Sequence, residues 1–261
     1  VLAFVGYTMA IAQTEWLPNV LGLGLGHPLI WIVTLLLGVI LGALIGGLHG
    51  FVIAYVGVPS FIVTLGGLLV WRGLIFRYAQ GQTINPMDPT FRLLGGGGPQ
   101  AALGDLLSWI LGVIICIGIA YSLVMARRRR RRYGFPLRPM WAEAAIAVVS
   151  FVVVLAAVWI ANSYPWPANI AAEHAAELGI PVPPNGFATG VAFPVVIMLL
   201  VGLVMTYVAT RRRFGRYVYA IGGNPDAAEL GGINVRRTIM STFVLMGVLC
   251  AVSAAIQTAR L

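Results

Sequence analysis

Six long apolar runs dominate this chain of 261 residues and limit what it can fold into. They cover residues 29–56, 60–76, 103–125, 141–161, 190–209 and 238–256. One helical crossing of a bilayer takes about 20 apolar residues, and backbone groups in lipid must bond within their own segment. Strands of a membrane barrel would alternate apolar and polar residues, and these runs do not alternate. The runs therefore predict an all-α fold, a polytopic transmembrane helical bundle.

Two segments depart from the simple pattern of spanning helices. The shortest run, 60–76, contains Gly66 and Gly67, so we expect one short or broken membrane helix there. Residues 1–12 are apolar but too short to cross a bilayer alone, and no charged region of a signal peptide precedes them. Because the chain begins with Val1 and ends soon after an apolar run, we expect residues 1–261 to be an internal fragment of one transmembrane domain, with N-terminal and C-terminal spans missing.

The composition excludes several classes of protein. Apolar residues make up 59% of the chain and charged residues only 10%, whereas a soluble domain carries about 25% charged residues. A soluble enzyme, a nucleic-acid-binding module and a disulfide scaffold do not fit this balance. All 17 basic residues are Arg, so Schiff-base lysine chemistry and the lysine of a phosphate-binding loop are excluded as well.

The placement of arginine predicts which connections face the cytoplasm. Thirteen arginines fall in two connections, 127–138 and 211–237. Two spans separate these connections, which places both on one side, and the positive-inside rule makes that side cytoplasmic. The connections 78–102 and 162–189 are rich in Gly and Pro and are then expected to be irregular loops outside. Six consecutive arginines directly after an apolar helix are typical of a lipid-headgroup anchor rather than of a nucleic-acid site.

Residues that would support catalysis or metal binding are sparse. Cys116 and Cys250 lie inside apolar runs, where a thiol behaves as a small hydrophobic group. His49 lies among glycines, and we interpret it as a helix-packing or polar-contact residue rather than a metal ligand. His27 and His174 are isolated, and the sequence contains no HExxH, CxxC or GxSxG pattern. We therefore predict no catalytic residue, no metal site and no cofactor.

Acidic residues are nearly absent from the apolar runs, which bears on energy coupling. Ion-driven carriers usually place ionisable groups within their spans, whereas Asp105 and Glu143 lie only near the ends of runs. A Walker motif for ATP hydrolysis is also absent from the sequence. If the protein takes part in transport, its energy must come from a separate subunit. A self-sufficient secondary carrier or channel for a small polar solute is the alternative.

Residues 220–234 encode a short helix in the second arginine-rich connection. Asn224 is a favourable N-cap, Pro225 fits the first helical position, and Asp226 complements the positive end of the helix dipole. Gly231 and Gly232 stand where helices usually end. The pattern predicts a helix of about two turns with flexible glycines on both sides, and an isolated helix this short must dock onto another surface to stay formed.

Two docking surfaces fit this helix. One is the membrane domain of the same chain, which would make the segment a plain structured loop. The other is a groove on a cytosolic partner. In that case the small apolar contacts would come from Ala227, Ala228, Leu230 and Ile233.

The segment closely resembles the cytoplasmic coupling segment of the ribose/xylose-type sugar ABC transporter permeases. The matching residues are Gly222, Gly223, Asn224, Pro225, Asp226, Ala227, Ala228, Glu229, Leu230, Gly232, Ile233 and Asn234. A second signature of that family matches VPSFIVTLGGLLVWR at 58–72, followed by GQTI at 81–84. The stretches 22–28, 134–143 and 162–164 are similar to the xylose permeases within it. The resemblance covers nearly the whole chain, without the family's N-terminal spans and Gly-rich C-terminal region.

The resemblance implies a permease subunit, itself without enzymatic activity, of a bacterial inner-membrane importer for xylose or a similar pentose. In such systems cytosolic ATP-binding subunits drive transport, an extracytoplasmic sugar-binding protein delivers the sugar, and a second permease copy, expected to be identical, completes the path. Residues 211–237 would form the cytoplasmic coupling loop. The connections 78–102 and 162–189 would face the binding protein. Membrane lipid is a further partner, and nucleic acid is not one.

The second signature also suggests where the sugar passes. The candidate residues are Phe61, Thr64, Gly66, Gly67, Trp71 and Gln82. We hypothesise that this glycine-containing helix lines the translocation path, with hydrogen bonds from Thr64 and Gln82 and apolar faces from Phe61 and Trp71. The alternative is close helix–helix packing, for which Gly and Thr are common in membranes.

Overall fold

A computed structural model describes residues 1–22, 25–80, 82, 84, 87–96, 99–179, 181 and 186–260. Its helices are α1 (Leu2–Ile11), α2 (Leu17–Leu21), α3 (Ile30–Phe51), α4 (Ser60–Ala79), α5 (Pro89–Leu93), α6 (Gly104–Arg132), α7 (Met140–Asn162), α8 (Ala168–Leu178), α9 (Phe193–Arg211), α10 (Arg213–Gly223), α11 (Pro225–Leu230) and α12 (Val235–Ala259). Parts of the expected outer loops, of the 22–28 stretch and of the GQTI motif lie outside the described residues, as does the side chain of His174.

Six of the described helices are long and apolar enough to cross a membrane. The first is α3 together with the π-helical turn Val52–Val56 that follows it. The six are Ile30–Val56, Ser60–Ala79, Gly104–Arg132, Met140–Asn162, Phe193–Arg211 and Val235–Ala259. Each coincides with one of the six apolar runs, and every regular element among the described residues is helical. The prediction of an all-α, polytopic membrane protein is confirmed, because a helix satisfies its own backbone wherever lipid offers no partner.

Two details of the predicted spans differ from the structure. α4 is a continuous helix of 20 residues, so Gly66 and Gly67 do not break it. A glycine costs a helix only about 1 kcal/mol relative to alanine, which is less than the cost of leaving backbone groups unbonded in an apolar setting. The helix formed by the first apolar segment also extends past residue 12, since a π-helical turn, Ala12–Trp16, joins α1 directly to α2.

The chain divides into two compact units, residues 1–97 with 194–261 and residues 98–193. In the first unit α3 and α12 pack closely along a row of glycines. Added Cβ atoms at Gly42 and Gly46 would collide with the backbone of Gly247 and Phe243. Contact positions rise along α3 as they fall along α12, so the two helices are antiparallel. Small residues that let backbones approach are the usual basis of helix association in membranes.

The core of this first unit also includes α1 and α5. Its buried residues are Val5, Met9, Ile45, Phe91, Ala251, Ala254, Ala255 and Ala259. Alanines supply half of them, which keeps α12 close to its neighbours. The core therefore depends on the close approach of helices more than on large side chains.

The second unit contains an antiparallel pair, α6 and α7. Asn162 donates a hydrogen bond to Asp105 at one end, 2.8 Å away. At the other end Arg127 pairs with Glu143 at 2.6 Å. The consecutive arginines, expected in a connecting loop, instead form the last turns of α6. Cations at a helix C-terminus are favoured by its dipole, which explains why the helix continues through them.

Both connections that we expected to be irregular contain helices. α5 begins after Asp88 and buries Phe91 completely. α8 buries Ala171 and Ala175 on one face. The expectation of irregular loops is therefore wrong for these parts. The glycines and prolines near them indicated loops, although α5 has an N-cap residue and α8 is an alanine-rich run of strong helix formers.

Candidate functional site

The short helix predicted around Asn224 is present as α11. The Asn224 side chain accepts a hydrogen bond from the backbone N–H of Ala227, 3.1 Å away, and Pro225 and Asp226 occupy the first turn. An N-cap oxygen satisfies a backbone donor that has no partner within the helix. The start of the helix is therefore fixed by Asn224 as predicted.

The end of α11 is a glycine-terminated Schellman motif. Gly232 has φ of 81° and donates from its N–H to the carbonyl of Glu229. Ile233 donates to the carbonyl of Ala228, 3.0 Å away. This pair of bonds needs a left-handed residue, which glycine supplies without steric cost. Gly232 therefore ends the helix, and Gly231 occupies the C-cap position.

The glycine pair before α11 is not a flexible hinge in the structure. Gly222 and Gly223 form the last turn of α10, and no other group lies near the Cβ position of either. The helix ends at Asn224, whose backbone is extended. The turn between α10 and α11 is therefore made by Asn224 and the fixed φ of Pro225, rather than by the glycines.

The apolar residues of α11 divide between two environments. Ala228 is buried against the rest of the chain, with 6% of its surface exposed, whereas Leu230 is 91% exposed. Ala227 is exposed and Ile233 is half-buried. Ala228 therefore docks the helix onto its own domain. Leu230 and Ala227 are the apolar groups that remain available to a partner.

Charge around α11 is predominantly positive. Arg213, Arg216, Arg236 and Arg237 are exposed on the flanking α10 and α12. Asp226 and Glu229 on α11 are exposed as well, and the described residues show no ion pair for them. An acidic short helix thus stands on a basic surface, so a partner meets both signs of charge within a small area.

The residues predicted for the translocation path share α4 but not one environment. Phe61 is 73% exposed. Thr64 bonds back to the carbonyl of Ser60 within its own helix, 2.8 Å away, and no group lies within 4 Å of a Cβ placed on Gly66. These positions face away from the packed core of their unit.

Trp71 and Gly67 lie on the packed side of α4. The indole Nε1 of Trp71 donates a hydrogen bond to Nε2 of His49, 3.2 Å away. A Cβ on Gly67 would lie 2.5 Å from the same nitrogen. These contacts confirm the interpretation of His49 as a polar packing residue and place it between α3 and α4.

Gln82, just beyond α4, lines a cavity with residues of α1 and α12. Among the residues predicted for the translocation path, Gln82 is the one that lines this cavity. The structure therefore brings Trp71 and Gly67 together at His49, leaves Phe61, Thr64 and Gly66 on an open face, and places Gln82 apart from both groups.

One buried polar cluster was missed at the sequence level. The carboxylate of Asp88 accepts from the N–H groups of Phe91 and Gly26, and its own N–H donates to Oε1 of Gln13. Asp88 and Gln13 are both fully buried. The signal was available, because Asp88 before Pro89 has the same N-cap and proline order as Asn224 before Pro225.

Comparison with known proteins identifies close relatives. The chain is 32% identical over 260 residues to the xylose transport system permease protein XylH of Haemophilus influenzae, covering 100% of this chain and 59% of that protein. It is 34% identical to XylH of Escherichia coli, covering 92% and 53% respectively. The ribose import permease protein RbsC of Escherichia coli is 30% identical over 64% of this chain and 53% of its own length. The chain thus spans between half and three-fifths of these relatives. No solved structure matches it.

A protein-family model also matches the chain over its whole length. The family described as branched-chain amino acid transport system, permease component, matches residues 1–261. The match includes the six spans and the α10–α11 connection. The chain therefore belongs to this family of transport-system permease components.

Proposed function

We propose that the chain is part of the membrane-spanning permease subunit of an ATP-binding-cassette importer that moves a monosaccharide, xylose or a similar pentose, into the cytoplasm. The observation that carries the proposal is α11. It is a capped helix that packs against α10 and the spanning helix α12, with Ala228 buried and Leu230 exposed. A short rigid helix fixed to a spanning helix can transmit a movement of a soluble partner to the membrane domain.

The class of cargo is supported by the relatives. Their names specify xylose, ribose, allose and fructose, whereas the family description names branched-chain amino acids. The xylose and ribose permeases match over 174 residues or more at 30% identity or more, so we assign a sugar. The same relatives favour a permease subunit over a self-sufficient carrier, and ATP hydrolysis is assigned to a separate subunit.

The partners follow from the same proposal. Cytosolic ATP-binding subunits receive α11, with Leu230 and Ala227 in an apolar groove and Asp226 and Glu229 near basic groups. An extracytoplasmic sugar-binding protein docks at the opposite membrane face. A second, identical copy of the permease and the surrounding lipid complete the assembly.

The orientation rests on arginine. The 127–138 and 211–237 segments are assigned to the cytoplasm, because anionic lipid and the insertion process retain arginine there. Cysteine substitutions at Arg130 and Tyr164, in a background without Cys116 and Cys250, test this assignment. We expect a membrane-impermeant thiol reagent to label the two from opposite faces. Labelling of both from one face contradicts the topology.

The translocation path is assigned to the open face of α4. Phe61, Thr64 and Gly66 lie there with little covering them, and Gln82 follows at the end of the helix. Trp71 and Gly67 set the position of this helix against α3. Thr64→Val removes a hydroxyl without changing the shape, so we expect slower sugar uptake, and unchanged uptake kinetics would return Thr64 to a packing role.

The function is tested by reconstituting the full-length protein in liposomes with its ATP-binding subunits and binding protein. We expect ATP-dependent uptake of labelled xylose that unlabelled leucine does not compete. Uptake that proceeds without ATP, or uptake of leucine in place of sugar, contradicts the proposal.

Variants of α11 test the coupling role in the same liposomes. Leu230→Asp and Asp226→Arg are expected to abolish most uptake without changing the amount of inserted protein. Leu137→Asp, which alters an exposed leucine of the other basic connection, is the matched control and is expected to transport normally. Undiminished uptake in both α11 variants contradicts coupling through this helix.

A further inference from the structure

A cavity of about 290 Å³ lies between α1, α4 and α12 within the first unit. Four of the described side chains that line it carry polar groups: Tyr7, Gln82, Gln257 and Thr258. They come from α1, from the residues after α4 and from α12, so three separate parts of the chain supply them. Such convergence of a few polar groups in an otherwise apolar cavity is the usual composition of a small-molecule site.

The polar groups of the cavity are neutral and versatile. Hydroxyl and amide side chains both donate and accept hydrogen bonds. Among the described residues, Tyr7, Gln82 and Gln257 have no side-chain hydrogen-bond partner, so their capacity is available to a ligand. None of the described residues that line the cavity is charged. These properties fit an uncharged polyhydroxylated molecule better than an ion or an amino acid, whose charges would find no counterpart.

The surface that the other described residues add to the cavity is apolar. Leu2, Ile75, Ile84 and Met87 contribute to it, and the Tyr7 ring adds an aromatic face. A sugar ring presents hydroxyls at its edge and C–H groups on its faces, so it needs both kinds of surface. The volume lies at the lower limit of the roughly 300–1,000 Å³ typical of ligand sites, as suits a monosaccharide.

The position of the cavity relates it to α11. Gln257 and Thr258 lie at the C-terminal end of α12, and α11 is docked at the N-terminal end. At about 1.5 Å per helical residue the two ends are roughly 35 Å apart, close to the thickness of a bilayer. The cavity therefore lies at the end of α12 opposite the coupling segment.

Close helix packing gives the cavity its shape. A Cβ on Gly6 would lie 2.5 Å from Oγ1 of Thr258, so only glycine lets α1 approach α12 here. Thr258 is 4% exposed as a consequence. Gly6 is therefore a positioning residue for the Thr258 hydroxyl.

We propose that this cavity is a binding station for a monosaccharide at the outer end of the first unit, with Tyr7, Gln82, Gln257 and Thr258 as its hydrogen-bonding groups. The assignment of sugar as cargo rests on the proposed function. The station itself is a property of the permease and holds sugar without the ATP-binding subunits.

The test measures protection of a cysteine from a water-soluble thiol reagent in the purified full-length permease. Gln257→Cys is made in a background without Cys116 and Cys250. At a xylose concentration ten times the dissociation constant, mass action predicts that labelling slows about tenfold. L-Glucose serves as the sugar for specificity and is expected to protect less. Gln100→Cys, exposed and outside the cavity, is the matched control and is expected to label equally with and without sugar.

A second position keeps the test decisive if Gln257→Cys does not fold. Gln82→Cys lies on a different part of the chain and is expected to show the same protection. Absence of protection at the position that folds overturns the proposal. Labelling only by a lipid-soluble reagent also overturns it, because lipid then fills the cavity.

The outcome is separate from that of the proposed function, since protection is measured on the permease alone. Protection by xylose in a protein that imports no sugar in liposomes supports the station and contradicts the importer. Normal import by Gln257→Leu and Thr258→Val, with no protection at either cysteine, supports the importer and overturns the station.

Discussion

Trp71 is hydrogen-bonded to His49, with 3.2 Å between the indole nitrogen and Nε2 of the imidazole, and this bond joins α4 to α3. The Trp71 ring also packs on Phe4 of α1, with 4.9 Å between ring centroids. Gly67 leaves room for the imidazole on the same side of α4. The glycine that would ordinarily weaken a helix is thus required at this contact.

The Gly66–Gly67 pair allows a matched test of this contact. Gly67→Ala places a methyl group against the His49 ring and breaks its bond with Trp71, whereas Gly66→Ala meets nothing within 4 Å. Both variants gain helix propensity. We therefore expect Gly67→Ala to be less stable than Gly66→Ala by about 1 kcal/mol, the usual net value of one hydrogen bond. Denaturant unfolding in micelles measures the difference, and equal stability would show that the imidazole moves without cost.

The row of glycines between α3 and α12 makes a second stability prediction. A methyl group on Gly46 collides with the backbone of Phe243, which cannot move independently of α12. Gly47→Ala is the neighbouring control, since its Cβ would make an ordinary contact at 3.5 Å with Val244. We expect Gly46→Ala to cost about 1–3 kcal/mol, as overpacking does, and Gly47→Ala to cost nothing. The same unfolding assay measures both, and similar stabilities would contradict close packing.

Much of this fold follows from patterns that a sequence displays directly. A spanning helix needs only apolar residues over a sufficient length, so all six spans were predictable. The α11 helix was predictable because Asn224, Pro225 and Gly232 each act on their immediate neighbours. Local signals of this kind do not depend on what the rest of the chain contributes.

The remaining features depend on tertiary partners that the sequence does not display. From the sequence alone Gly67 is interpreted as a helix breaker, because the sequence does not show that His49 lies against it. From the sequence alone Ala228 is interpreted as a contact with a cytosolic partner, whereas in the structure it is buried against its own domain. Gln82, Gln257 and Tyr7 lie far apart in the sequence, and only the packing of α1, α4 and α12 brings them to one cavity.

The buried Asp88 makes a third prediction, for the segment that contains α5. Asp88→Ala removes the acceptor for the N–H groups of Phe91 and Gly26 and is expected to destabilise this segment by about 1–3 kcal/mol, the cost of unsatisfied buried groups. Asp88→Asn keeps an acceptor oxygen and is expected to lose less. Limited proteolysis between residues 82 and 96 measures the opening of the segment. Cleavage at the wild-type rate in Asp88→Ala would contradict an anchoring role.

The two asparagine caps at the ends of the α11 connection make the last prediction. Asn224 accepts from Ala227 at the start of a helix of six residues, and Asn234 accepts from Arg237 at the start of a helix of 25 residues. Replacing an asparagine cap by alanine costs about 1 kcal/mol. That cost is a large fraction of the free energy that holds the six residues of α11 in a helix. It is a small fraction of the free energy that holds the 25 residues of α12, which pack along α3.

We therefore expect Asn224→Ala to raise the amide hydrogen-exchange rate of Ala227 and Ala228 about fivefold, with little change in Asn234→Ala at the interior of α12. Asn224→Asp retains the cap and is expected to restore protection. Equal exchange in wild type and Asn224→Ala would mean that docking of Ala228, not the cap, holds α11. In the liposome assay, Asn224→Ala also distinguishes two cases. Either α11 must be helical before its partner binds, or the partner orders α11 on binding. Reduced uptake by Asn224→Ala with normal uptake by Asn224→Asp indicates that α11 must be preformed.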